Sequence, residues 1–155
     1  MVLIASATFK SEEFRRVYTE EYAKAHRIGP EERQGFLEDQ LRAASLGQDF
    51  VVATFVPDKK WDDFDKPNAT WRLYLVNDIN ERVAPVEVRK LKGRDPVLSH
   101  FFPYITPHKS VYAVRFPYRT PGGDQPFLRD GAEAVTLIIT SVLGTAEMCW
   151  EFDLN

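Results

Sequence analysis

Two periods divide the chain. Up to about residue 48, apolar side chains recur every three or four positions; from Asp49 onward they alternate. Residues 11–27 predict a helix in which Phe14, Val17, Tyr18, Tyr22 and Ala25 form one inward stripe. Ser11 is placed to cap it, and Glu12 and Glu13 lie in the first turn, where negative charge suits the helix dipole. Gly29-Pro30 ends that helix and opens a second, since proline fits the first helical position. The second helix runs to about Ser45, with Phe36, Leu37, Leu41 and Ala44 inward and Gly47 closing it. The short connection predicts an antiparallel helical hairpin. The segment before Ser11 fits either an extension of the first helix or a strand, and the helix is the favoured reading.

The run Phe50-Val-Val-Ala-Thr-Phe-Val56 is almost wholly apolar and predicts a strand covered on both faces. Alternation then marks Trp71–Val76, Val86–Arg89, Tyr112–Phe116, Val135–Thr140 and Ala146–Leu154, with a weaker strand near Phe101–Ile105. Leu143-Gly144-Thr145 supplies a turn, so residues 134–154 read as a β-hairpin. Nine of the ten prolines follow residue 48, which keeps that region out of helix. No helical period separates the strands, so parallel crossovers are not expected. The expected fold is mainly β: an antiparallel, immunoglobulin-like β-sandwich preceded by an N-terminal α-helical hairpin. It forms one domain over 1–155, with 1–48 packed on 49–155.

Composition adds limits rather than identity. A chain of 155 residues with 44% hydrophobic and 28% charged residues is long and apolar enough for one core without disulfide or metal support. The net charge is −3, and both parts share it, with 7 basic and 8 acidic residues up to residue 48 and 13 and 15 beyond. No basic face is concealed, and a nucleic-acid partner is not expected. No apolar run reaches the length of a membrane-spanning helix. The opening Met1–Phe9 lacks a basic leader region, leaving a cytoplasmic chain or a mature chain whose signal has been removed.

Candidate chemistry is sparse. Asp62, Asp63 and Asp65 cluster between the first two predicted strands, with the oxygen donors a hard cation needs but without the spacing and glycine of a calcium loop. A turn with Lys59, Lys60 and Lys66 as counter-charges is the competing reading. His26 suits the end of the first helix, and His100 and His108 match no zinc spacing. Cys149 falls on the polar side of the last strand, with no cysteine-nucleophile signature around it. Gly122-Gly123-Asp124 lacks the partners of a phosphate loop and reads as a turn. The most distinctive motif is a repeat, Phe102-Pro103-Tyr104 and Phe116-Pro117-Tyr118. Tyr104 and Tyr118, beside His108 and Arg119, are the candidate binding residues, because tyrosine joins a large apolar body to a polar tip. The competing reading makes them strand terminators. No catalytic set, metal site or cofactor is expected.

The runs Trp71-Arg-Leu-Tyr-Leu-Val-Asn77, Val83-Ala-Pro-Val86, Phe101-Phe-Pro103 and Tyr112-Ala-Val-Arg-Phe-Pro117 resemble the β-portion of uncharacterised bacterial envelope or lipoprotein-like proteins. Ala7-Thr8-Phe9 and Phe14-Arg-Arg-Val-Tyr18 fit their helical lead-in. The resemblance implies a periplasmic or lipid-anchored chain with its signal removed, although no lipobox is present. The sandwich pattern, the near-neutral charge and the lack of a convergent catalytic set point to a non-enzymatic interaction or structural module of the bacterial cell envelope, with another envelope protein or a glycan as its expected partner. The alternative is a small-ligand binder or enzyme with a site between hairpin and sandwich, drawing on Asp62, Asp63, His100 and His108.

Overall fold

The computed structural model describes residues 3–91, 100–106, 108–120, 122–129 and 131–152. Along these run β1 (Ile4–Phe9), α1 (Glu12–His26), α2 (Pro30–Ala44), β2 (Gly47–Phe55), β3 (Arg72–Asn77) and β4 (Arg82–Val83). They continue with β5 (Glu87–Leu91), β6 (Ser110–Pro117), β7 (Ala134–Ser141) and β8 (Gly144–Glu151). Two antiparallel four-stranded sheets result: sheet A in the order β1-β2-β6-β5 and sheet B in the order β4-β3-β7-β8.

The sheets face one another across a core of alternate residues. Phe50, Val52, Tyr112, Val114 and Phe116 come from sheet A, and Leu73, Leu75, Val135, Leu137 and Ile139 from sheet B, all buried. Phe50 meets Phe116 and Trp150 edge to face, with centroids 5.6 and 5.2 Å apart. Val51 and Ala53 point the other way and are fully buried too, so β2 is covered on both faces as its composition predicts.

Three expectations are corrected. The segment before Ser11 is the strand β1, not helix. Ala5, Ala7 and Phe9 pack on the core while Ile4, Ser6 and Thr8 alternate with them, a period muted because most of these side chains are small. Ser11 then starts α1 afresh by accepting a hydrogen bond from the Phe14 N–H at 3.1 Å. The helical hairpin therefore lies between the first two strands and does not precede the sandwich. Second, Phe101–Ile105 is not a strand. Phe101 belongs to a helical turn, and Phe102 is buried 5.7 Å from the Phe14 ring. Third, the β7–β8 turn is Val142-Leu143, one residue earlier than read, and Gly144 already pairs with Ser141. The short β4 had no counterpart among the predicted strands.

The helix boundaries follow the sequence. Pro30 opens α2 after Gly29, and α1 ends on Arg27 in the left-handed conformation. The buried line of α1, however, is Arg15, Thr19 and Ala23, while Val17 and Ala25 are exposed. The aromatic stripe lies beside that line. Phe14, Tyr18 and Tyr22 form a ladder that stacks on Phe36 of α2 and meets Phe101 edge-on or tilted. Among the described residues, no helix is long and apolar enough to cross a membrane.

Candidate functional site

A charged cleft lies where α1 meets the outer face of sheet A. Asp49 stands next to Phe50, so it points outward, and the sheet register places it opposite Arg115, itself opposite Glu87. Arg115 Nε donates to Asp49 Oδ1 at 2.8 Å. From the helix side, Arg15 Nη2 donates to Asp49 Oδ2 at 2.7 Å, and its Nη1 donates to Gln40 Oε1 of α2 at 2.9 Å. One carboxylate thus joins two arginines and locks the hairpin to the sheet. Gly47 makes room for this arrangement: a Cβ there would stand 2.5 Å from the Phe116 carbonyl oxygen and 2.7 Å from Arg115 Cγ.

Positive charge exceeds negative around this bridge. Lys10, Arg15, Arg89 and Arg115 face Asp49 and Glu87 around a cleft of about 170 Å³. Only 3% of Arg15 is exposed, and its Nε has no hydrogen-bond partner among the described residues. Burial lowers the Lys10 ammonium pKa, with repulsion from Arg15 adding to it and attraction to Asp49 opposing it. Burial likewise lowers that of Arg15, whereas the hydrogen bond to Asp49 raises that of Arg115. Two carboxylates thus face four cations, and burial already disfavours the charge on Lys10 and Arg15.

The residues singled out from sequence do not assemble. His108 precedes β6, whereas Tyr118 and Arg119 follow it, so the eight-residue strand separates them. The Tyr104 hydroxyl hydrogen-bonds that of Thr8 at 2.8 Å, and burial raises its pKa. Tyr118 lines an open hollow with Phe9, Leu128 and Phe152. Arg119 donates to the Asp124 carbonyl and pairs with Pro126, closing the turn read at Gly122-Gly123-Asp124.

Of the alternative set, Asp62 and His108 line a common cavity of about 340 Å³ with Lys90 and Lys109. Asp63 instead accepts from the N–H and hydroxyl of Thr70 at 3.0 and 3.1 Å. His100 stands by Phe101. Asp62 is committed to sheet A: it accepts from Thr54 Oγ1 at 3.1 Å, from Tyr112 Oη at 2.8 Å and from the Ser110 hydroxyl. Those bonds anchor the loop between β2 and β3. Cys149 is exposed on the outer face of sheet B, away from the helices.

No family model, curated protein or solved structure matches the chain.

The reading of the site therefore rests on its own chemistry. Lys10, Arg15, Asp49, Arg89 and Arg115 escaped the sequence analysis because each lies in an element read for its apolar residues. One signal was present: Asp49 directly precedes an almost wholly apolar run that needs cover on both faces, so its charge required a partner from whatever covers its side.

Proposed function

We propose that the chain is a non-enzymatic binding module, and that the cleft between its helical hairpin and sheet A receives an anionic group of its ligand, a carboxylate or a phosphate. The observation that carries this reading is the charge imbalance around Asp49, four cations against two carboxylates among the described residues, with a buried arginine Nε that meets no partner among them. The strand orders β1-β2-β6-β5 and β4-β3-β7-β8 support an immunoglobulin-like assignment, corresponding to A-B-E-D and C′-C-F-G, with the helices inserted between A and B.

Inorganic phosphate and citrate are the probes. At low salt, either anion at about ten times its dissociation constant should stabilise the protein by about 1.4 kcal/mol, raising Tm by about 3–6 °C. Lys10→Met and Arg89→Met remove cations outside the Asp49 bridge, and each should abolish most of that rise. An equal rise in both variants, or none in the unaltered protein, would overturn the reading. Envelope location belongs to the same proposal and rests only on the loose resemblance of the strand runs from Trp71 to Pro117. Fractionation of native cells should place the protein with the envelope, and recovery solely from the cytosol would remove that part.

A further inference from the structure

Strand β8 ends sheet B, and no described strand pairs with its outer edge. The closing pair Ser141–Gly144 and the bond from Phe152 N–H to the Glu133 carbonyl at 2.8 Å fix the phase of the ladder. Even-numbered residues of β8 bond to β7. The N–H and C=O groups of Thr145, Glu147, Cys149 and Glu151 consequently point away from the sheet, and no backbone partner meets them among the described residues. Such an edge is a template for another strand unless something blunts it.

The opposite flank is blunted. There β4 has two residues, and β5 presents Arg89 and Lys90. In contrast, β8 has eight residues, no proline and no lysine, and its register with β7 is unbroken from Glu151 to Gly144. The edge strand β1 likewise meets no further described strand, but it bears no charged side chain to select a partner. On β8, Glu147 and Glu151 sit at two of the four outward-bonding positions, both exposed and neither ion-paired to a described residue. Two copies joined along β8 would gather four carboxylates on one seam, whereas a basic strand would supply counter-charges. Beside it, the turn exposes Val142 completely and Leu143 by 43%.

We propose that β8 binds a partner by strand addition, the partner being an extended segment with lysine or arginine at alternate positions. Its basic side chains lie over Glu147 and Glu151, and the residues between them, apolar, extend the layer of Met148 and Trp150. Backbone pairing supplies affinity, and the two glutamates select charge.

The test uses two synthetic peptides, an alternating lysine–valine sequence and its glutamate–valine counterpart, titrated against the full chain. The lysine peptide should bind at least about tenfold more tightly, with an advantage that shrinks as salt rises. Cys149→Pro removes an outward N–H while leaving the β7 ladder intact, and should weaken lysine-peptide binding about tenfold or more. Thr145→Pro provides the same test at a second outward position if Cys149→Pro does not fold. Reversing both charges, with Glu147→Lys and Glu151→Lys, should transfer the preference to the glutamate peptide. Equal affinity for both peptides, no binding of either, or lysine-peptide binding untouched by both prolines would overturn the proposal. So would sedimentation showing a dimer that the proline variants dissolve, since the edge would then belong to a second copy.

Discussion

Asp49→Ala is expected to destabilise the protein by about 3–5 kcal/mol, the cost of breaking a buried ion pair by removing one partner. Two arginines lose their shared carboxylate at once. Arg15 cannot turn to solvent, because only 4% of its side chain is exposed, while Arg115 is 30% exposed and can partly rehydrate. The penalty thus falls mainly on the helix side. Arg15→Leu should cost far less: Asp49 keeps Arg115, and an apolar side chain of related length replaces the buried guanidinium. Thermal unfolding checks the pair. A loss of about 3–5 kcal/mol corresponds to a fall of about 6–20 °C in Tm for a chain of this size. If the two variants melted together, Asp49 would not be the keystone of the hairpin–sheet junction.

Asp62→Ala should produce the second-largest loss, about 2–4 kcal/mol. The deletion strands the hydroxyl of the fully buried Thr54, at about 1–3 kcal/mol, and costs about 1 kcal/mol more for the side-chain bond of Tyr112, whose hydroxyl keeps the Asp62 carbonyl at 3.1 Å. It also frees the loop from the Ser110 hydroxyl. Tyr112→Phe should cost less, because Asp62 keeps its other donors. Chemical denaturation of both variants, with proteolysis of the β2–β3 loop, provides the measurement. The loop should be cut faster in Asp62→Ala, and added calcium should leave its rate unchanged. Calcium protection of the unaltered protein that vanished on the substitution would instead make the aspartates a cation site.

Much of the architecture was legible because burial writes itself into strand composition. The run from Phe50 to Val56 needed cover on both sides, and the alternation from Val135 through Trp150 placed a hairpin correctly to within a residue of its turn. Ser11 and Pro30 located the helix starts for reasons independent of packing. The failures have physical causes as well. Alanine, serine and threonine in β1 carry too little contrast to show a period of two, so a neighbour's need for a partner decided that segment. Phe101 and Phe102 have strand-forming side chains, but their rings are used against α1. In α1 itself, Arg15 and Thr19 sit on the buried line because the surface beneath offers Asp49, and hydropathy alone sends arginine outward. The sites sequence reasoning favoured were chosen by residue type. The cleft depends on residues that are unremarkable singly and are joined only by the β2–β6 register and the helix crossing above it.

The excursion of the two helices between β1 and β2 also bears on how the molecule assembles. Without it these strands would form a simple local hairpin; with it, Lys10 must find Asp49 across a long intervening segment before the bond from Lys10 N–H to the Asp49 carbonyl, 2.8 Å in the folded protein, can close. Helices form in about a microsecond or less, faster than sandwich pairings. An early antiparallel α1–α2 pair would fold that segment back on itself and bring its two ends together. The helical insert would then shorten the search for the first strand pair, giving a non-local β contact some of the speed of a local one.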